Sequence, residues 1–201
     1  MDIRKDIRVD WITTNTFKDR HERMEKLFKT HGFENTNKIV GVKVDSSKVG
    51  DVERCYQIGK THAESLRVEG KVLILEDDVE ISEHFNPIIK EIPENADALY
   101  LGTSSAGMIE NKPTGQGTKF ERINELWDKP LNMLGLHAII YLSEEYKKET
   151  IKNLLRGKSL NLQCDIPVAL DMKNYNIYSC VYPMFYQRPY KKSTLTPLRL
   201  L

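Results

Sequence analysis

The segment Lys71-Val72-Leu73-Ile74-Leu75-Glu76-Asp77-Asp78 constrains the fold more than any other part of this 201-residue chain. Its apolar part lacks the polar alternation of a half-exposed strand, which is typical of a central parallel strand covered on both faces. Three consecutive acids follow where that strand ends. In open α/β sheets, ligands bind at the carboxyl ends of the strands, so the segment predicts both a fold class and the position of a site.

The residues before this segment predict two further strands and two helical crossovers. The strands are expected over 9–14 and 38–44, and the helices over 18–31 and 52–67. A strand–helix–strand–helix–strand order gives parallel neighbours with right-handed connections. We therefore predict a single α/β domain with a Rossmann-like, mostly parallel central sheet flanked by helices.

The second half of the chain is less regular. Further strands are predicted over 98–101, 133–142 and 177–182, and further helices over 143–155 and 166–174. Residues 103–118 are rich in Gly, Ser, Pro and Asn, which predicts a mobile loop. The tail, residues 189–201, has no clear period. No linker separates the half up to residue 102 from the half after it, so one domain over 1–201 is expected.

Composition excludes several classes of protein. Forty per cent apolar and 29% charged residues are ordinary for a globular chain, and a net charge of +1 gives no reason to expect strong non-specific nucleic-acid binding. Three scattered cysteines without a CxxC pair predict buried thiols rather than a disulfide framework or a zinc site. No apolar run approaches the roughly 20 residues of a membrane span, and the first residues lack a signal-peptide core. A cytoplasmic location is expected.

The three acids need a compensating charge or hydrogen-bond donors, because clustered carboxylates repel one another. In an extended chain, Glu76 and Asp78 project to one side and Asp77 to the other. Mg²⁺ or Mn²⁺ prefers oxygen ligands and can join one or two carboxylates to diphosphate oxygens. The alternative is a solvated acidic turn that caps a helix beginning near Ser82, since acids are common at helix starts.

A second alternative is a receiver-like phospho-acceptor signalling domain, in which paired acids bind Mg²⁺ beside a phosphorylated Asp. Such a domain requires another buried strand ending in Asp some forty residues after the acids. The nearest candidate is Asp128, and the residues before it are too polar for a buried strand. The receiver reading also leaves seventy residues of well-patterned α/β sequence outside the domain.

Several segments occur in the order found in one enzyme family. They are Asp19-Arg20-His21-Glu22-Arg23-Met24, Gly41-Val42-Lys43-Val44-Asp45, Thr61-His62 and Val72 to Val79, with weaker matches at Leu101-Gly102, Gly135 to Ala138, Asp165, Pro183 and Gln187. Together they resemble glycosyltransferase family 25, the lipopolysaccharide and collagen galactosyltransferase group, which has a GT-A fold. Thr61 stands where that family has Ser, and the link from His62 to Glu76 is shorter than usual.

The resemblance implies a metal-dependent glycosyltransferase of polysaccharide biosynthesis. We expect it to move a sugar from a nucleotide-sugar donor, for which a UDP-hexose is favoured, to a hydroxyl group of a glycan, protein or other acceptor. Mn²⁺ or Mg²⁺ would be the cofactor. The half up to residue 102 would bind the nucleotide sugar, and the half from 103 would bind a carbohydrate or glycoconjugate acceptor; a nucleic-acid acceptor is not favoured. Two further alternatives are another nucleotidyl-transfer enzyme that uses the same acids and a catalytically silent nucleotide-binding module.

Each candidate site residue has an expected role and a structural alternative. Asp78 and Glu76 are the expected metal ligands, with His137 as a third, although a histidine in an apolar strand is more often a core residue. Asp165 is the expected base for the acceptor hydroxyl, and it could equally cap the helix after it. Donor contacts are expected from Thr13, Thr14, Arg20, Asp45, Glu76 and Asp77, where strand-end capping or solvated charge is the alternative.

Overall fold

The chain forms an α/β fold around an eight-stranded sheet, as predicted. The computed structural model describes residues 1–45, 47, 49–110 and 112–188. The strands are β1 (Arg8–Thr14), β2 (Thr36–Gly41), β3 (Val72–Glu76), β4 (Val79–Ile81), β5 (Ala98–Tyr100), β6 (Gly107–Ile109), β7 (Lys112–Thr114), β8 (Phe120–Arg122), β9 (Trp127–Pro130), β10 (Ala138–Tyr141), β11 (Ile177–Cys180) and β12 (Phe185–Gln187). The helices are α1 (Lys18–His31), α2 (Asp51–Ser65), α3 (Glu144–Ser159) and α4 (Asp165–Asp171), and a 3₁₀ turn at Met172–Asn174 follows α4.

The large sheet has the strand order β2-β1-β3-β10-β5-β11-β9-β8. β1 lies between β2 and β3 and is parallel to both. β10 and β9 are antiparallel to their neighbours, so the other six strands share one direction. The prediction of a mostly parallel sheet is confirmed. One of the two antiparallel strands, β10, lies directly beside β3.

Two apolar layers cover the faces of this sheet, and alternation along β3 divides its side chains between them. Leu73 and Leu75 are buried in the layer that contains residues of α1, whereas Val72 and Ile74 are buried in the layer that contains residues of α2 and α3. Because successive side chains of a strand point to opposite faces, this alternation also decides where the first acids point.

Several elements differ from the sequence-based expectation. Residues 103–118 contain the β6–β7 hairpin, and β9 is a strand because Trp127 and Pro130 are buried although the residues between them are polar. The strand predicted over 133–142 begins only at β10, because Gly135 has a φ of 103° that an extended strand does not allow.

No helix follows the acids near Ser82; β4 pairs there with β12 instead, so the capping alternative for the acids is wrong. The predicted tail, residues 189–201, lies outside the described residues. Across the described ranges, no helix combines the length and the apolar character needed to cross a membrane.

Candidate functional site

A cleft of about 550 Å³ opens at the carboxyl ends of β1, β2 and β3. The acids that follow β3 form one wall, and the residues after β2 together with one side of α2 form the opposite wall. The lining residues are Ile12, Thr13, Thr14, Phe17, Arg20, Gly41, Val42, Lys43, Val44, Arg54, Gln57, Ile58, Thr61, Glu76, Asp77 and Asp78. The cleft therefore lies at the sheet edge where an open α/β fold binds its ligand, and it is large enough for a nucleotide.

Asp77 points toward α1 and is held there by several hydrogen bonds. Thr13 donates to Asp77 Oδ2 at 2.5 Å, and the guanidinium of Arg20 donates to Oδ1 in an ion pair. Arg23 donates to the backbone oxygen of Asp77 at 2.6 Å, and His21 Nε2 lies 2.9 Å from Thr13 Oγ1. Both carboxylate oxygens are thus engaged, so the predicted donor contact of Asp77 would require displacement of Thr13 or Arg20.

Glu76 points to the opposite face of the sheet, where it meets β10 and β12. Its backbone N–H donates to His137 O at 3.0 Å, which makes His137 its cross-strand partner on the same face. Gln187 donates from Nε2 to Glu76 Oε2 at 2.8 Å. Burial, and then the charge of Asp78, raise the pKa of Glu76 to about 8. The carboxylate is therefore placed where a cation would stabilise its ionised form.

Asp78 has one carboxylate oxygen that accepts no hydrogen bond from the described residues. That oxygen, Oδ1, is buried. Burial raises the pKa of Asp78, the neighbouring Asp77 adds to the rise, and Arg20 opposes it. An orphaned carboxylate oxygen beside a second acid fits a hard divalent cation, because oxygen ligands are the ones that Mg²⁺ and Mn²⁺ prefer.

The predicted third metal ligand, His137, is 3% exposed, and neither ring nitrogen has a partner in the described part of the chain. Burial lowers its pKa to about 4, so the ring is neutral. Gly102 makes room for the ring, since a Cβ at that position would overlap it. No group of three or more His, Cys, Asp or Glu side chains in the described ranges could hold a metal ion. Any cation would therefore need ligands from elsewhere, as Mg²⁺ takes them from phosphate and water.

Asp165 is the first residue of α4 rather than its N-cap, a position that Cys164 occupies. Its Oδ2 accepts from the backbone N–H of Gly135 at 3.2 Å. Burial raises the pKa of Asp165. Its charge adds to the rise in the pKa of Glu76 that burial and Asp78 cause, and Asp165 does not line the cleft.

Of the other predicted donor contacts, Thr14 ends β1 as expected, whereas Asp45 lies four residues after β2, which ends at Gly41. Thr14 lines the cleft, and its Oγ1 is 3.0 Å from Thr16 Oγ1. Asp45 is not a lining residue; its Oδ1 accepts from the backbone and hydroxyl of Ser47 at 3.0 and 2.6 Å, although its neighbour Val44 does line the cleft.

Sequence reasoning missed three polar residues of the opposite wall, Lys43, Arg54 and Gln57. Arg54 and Gln57 are three residues apart on α2, so they share a helix face, and that spacing could have identified them. Lys43 has no such signal, because it follows β2 in a segment where a lysine is usually solvated.

The strand order excludes the receiver alternative. Doubly wound domains of that type have the order 2-1-3-4-5 in an open, mostly parallel sheet. In this chain the antiparallel strand β10 lies against β3, and Asp128 is on β9, at the far side of the sheet from the acids.

No protein-family model matches the chain, and no curated protein matches it at significant similarity. Membership of glycosyltransferase family 25 therefore stays a prediction. Several solved structures are similar in shape at low sequence identity, and three of them follow.

A nucleoside-diphosphate-sugar pyrophosphorylase from Vibrio cholerae RC9 is 12% identical with a TM-score of 0.44, over 85% of this chain and 70% of that chain. A glycosyltransferase involved in glycosylation of the major capsid of PBCV-1 is 12% identical with a TM-score of 0.40, over 76% and 68% of the two chains. CTP:phosphocholine cytidylyltransferase from Streptococcus pneumoniae is 7% identical with a TM-score of 0.40, over 90% and 93%.

Proposed function

We propose that this protein is a metal-dependent glycosyltransferase that moves a hexose from UDP-hexose to a hydroxyl group of a glycan, protein or other acceptor, with UDP as the leaving group. The observation that carries the proposal is the Asp78 Oδ1 oxygen, which is buried without a hydrogen-bond partner among the described residues and lies in a cleft of about 550 Å³ at the strand ends. A carboxylate oxygen in that position costs free energy, and a bound cation would remove that cost.

The cleft offers complementary groups for each part of a nucleoside diphosphate. Lys43 and Arg54 on one wall, with Arg20 on the other, provide positive charge for phosphate oxygens. Phe17 and Ile58 provide apolar surface for a base. Hydroxyl groups of Thr13 and Thr14 line the end of β1, and Asp45 follows β2 near the same wall, so these residues are the proposed contacts to the ribose and base.

The proposed metal ligands are Asp78 and Glu76, with the donor's phosphates and water completing the coordination. Bound there, Mn²⁺ or Mg²⁺ would supply positive charge against the leaving diphosphate. Asp77 contributes by holding Arg20, and Arg23 holds the backbone oxygen of Asp77. The predicted third ligand, His137, is not part of the proposed coordination, because no group of three or more His, Cys, Asp or Glu side chains in the described residues could hold a metal ion.

In the transfer step the bond from the anomeric carbon to phosphate oxygen breaks, and a bond from that carbon to the acceptor oxygen forms. The acceptor hydroxyl must lose its proton, and we propose Asp165 as the group that accepts it. Burial raises the pKa of Asp165, which makes its carboxylate a stronger base than an exposed one. The acceptor would then approach from the side of α4, in the half after residue 102.

The experiment that tests the proposal is a screen of UDP-, GDP- and CMP-sugars for hydrolysis or transfer with Mn²⁺, using Asp78→Ala as the inactive variant. Glu80→Ala is a matched control, because Glu80 accepts a hydrogen bond from the Tyr186 hydroxyl on β12 and does not line the cleft. We expect nucleoside diphosphate release that Asp78→Ala abolishes while the variant stays folded. Full activity in Asp78→Ala would contradict the metal assignment.

A second arm of the screen supplies a nucleoside triphosphate and a sugar phosphate and separates the alternatives. Pyrophosphate release from a nucleoside triphosphate and a sugar phosphate would assign a nucleotidyltransferase instead. Nucleotide binding without turnover of any donor would assign a silent binding module.

A further inference from the structure

β12 passes directly beside the acidic segment, although it follows that segment by more than a hundred residues. Gln187 pairs with Val79 in the register of β12 and β4. The next backbone N–H, that of Arg188, donates to Asp78 O at 2.8 Å. The side-chain amide of Gln187 donates to Glu76 Oε2 at 2.8 Å. The end of β12 and the residue after it therefore contact the carboxylate of Glu76 and the backbone of Asp78.

The position of β12 does not depend on the Gln187 side chain. Phe185 is fully buried, and its N–H donates to Leu101 O at 3.1 Å. Ser82 donates from Oγ to Pro183 O at 2.6 Å. These contacts fix β12 through its backbone and through a buried ring. Removal of the Gln187 amide should therefore leave the strand in place.

We propose that Gln187 is a positioning residue that orients the Glu76 carboxylate for cation binding. This inference rests on the proposed function, in which Glu76 is a metal ligand. Glu76 is partly buried beside Asp78, so its ionised carboxylate is repelled and, without a donor, would turn away. A hydrogen bond to one carboxylate oxygen fixes the plane of the group and hence the direction of the other oxygen.

Groups that bond a metal ligand in this way are part of the metal site. Loss of such a partner typically weakens metal affinity or activity by about 10- to 100-fold. The Gln187–Glu76 hydrogen bond is exposed, so we expect the lower end of that range, a loss of about tenfold. The affinity of Glu76 and Asp78 for a cation would thereby depend on β12, the last strand that the structure describes.

The test measures Mn²⁺ binding by electron paramagnetic resonance with UDP present, and measures KM and kcat separately. Gln187→Leu keeps the approximate size and removes the donor. Tyr186→Phe is the matched control on the same strand, because the Tyr186 hydroxyl bonds Glu80 at 2.8 Å. We expect about tenfold weaker Mn²⁺ binding in Gln187→Leu, an unchanged thermal midpoint, and wild-type binding in Tyr186→Phe.

Mn²⁺ binding within twofold of wild type in Gln187→Leu would overturn the positioning role and leave the proposed function standing. Gln187→Asn, whose amide is too short to reach Glu76, must reproduce the loss and serves if Gln187→Leu does not fold. Misfolding of both would assign Gln187 to stability and overturn the inference. Absence of Mn²⁺ binding in the wild-type protein would overturn the proposed function itself.

Discussion

Asp77 and Asp78 are adjacent in sequence, and their replacement by asparagine should have opposite consequences. The Asp77 side chain is 9% exposed and that of its partner Arg20 is 15% exposed. In Asp77→Asn, Thr13 still finds an oxygen acceptor, but the charge that faces the guanidinium is lost. Removal of one member of a buried ion pair costs about 3–5 kcal/mol, and a hydrogen bond to a charged group contributes about 1.5–3 kcal/mol.

We therefore expect Asp77→Asn to lower the free energy of unfolding by about 3 kcal/mol. In a chain of this length such a change lowers the thermal midpoint by about 6–12 °C. Asp78→Asn removes a carboxylate whose pKa is already raised by burial and by Asp77, so its ionised form destabilises the fold. That variant should unfold no more easily than wild type in the absence of ligand.

The assay is urea unfolding followed by tryptophan fluorescence, with equal slopes as the check that the unfolded states are comparable. Trp11 reports directly, because its ring lies 5.6 Å from that of His21, which contacts the same hydrogen-bond network. Two results would contradict this prediction. One is a free energy of unfolding for Asp77→Asn within about 1 kcal/mol of the wild-type value, and the other is a destabilisation by Asp78→Asn as large as that by Asp77→Asn.

Three further predictions concern buried groups of the same domain. Burial lowers the pKa of His62 to about 3, so near pH 5 the unfolded chain binds a proton that the folded chain does not. The free energy of unfolding is therefore highest above pH 6.5 and falls by about 2 kcal/mol between pH 7 and 5. In urea unfolding, His62→Leu should show a pH dependence that is smaller by that amount, and an unchanged pH dependence would refute this prediction. Asp165→Asn should lower kcat by about 100-fold or more in steady-state kinetics while the KM for the donor stays near wild type, and an unaffected kcat would remove Asp165 from the mechanism. Gly102→Ala places a Cβ against the His137 ring and 3.1 Å from the carbonyl oxygen of Phe185. Calorimetry should therefore show that the free energy of unfolding falls by about 1–3 kcal/mol, and an unchanged thermal midpoint would contradict that packing.

The central part of the fold was predictable because its signals are local. An uninterrupted apolar strand, helices with glycine at their ends and acids at a strand end are each contained in a few neighbouring residues. The alternation that sends Asp77 to one face and Glu76 to the other is also local, and the hydrogen bonds of both side chains agree with it. What Asp77 binds was not predictable, because an arginine such as Arg20 on a charged helix gives no sign of its partner.

The second half was harder to predict because its elements depend on distant partners. β4 and β12 are three residues each, and neither has a pattern until the other lies beside it. β9 is buried through Trp127, which donates from Nε1 to Glu91 O at 2.9 Å, a contact between residues 36 positions apart. Gln187 belongs to the site for the same reason, since only the strand pairing brings it to Glu76.

The central claim is that the acids after β3 bind a cation that in turn holds a donor diphosphate. The most direct measurement is calorimetric titration of UDP into the protein with Mn²⁺ and with the metal removed by chelation, repeated on Asp78→Asn. We expect UDP binding that requires Mn²⁺ and that Asp78→Asn loses. Equal UDP affinity without the metal, or undiminished metal-dependent binding in Asp78→Asn, would contradict it.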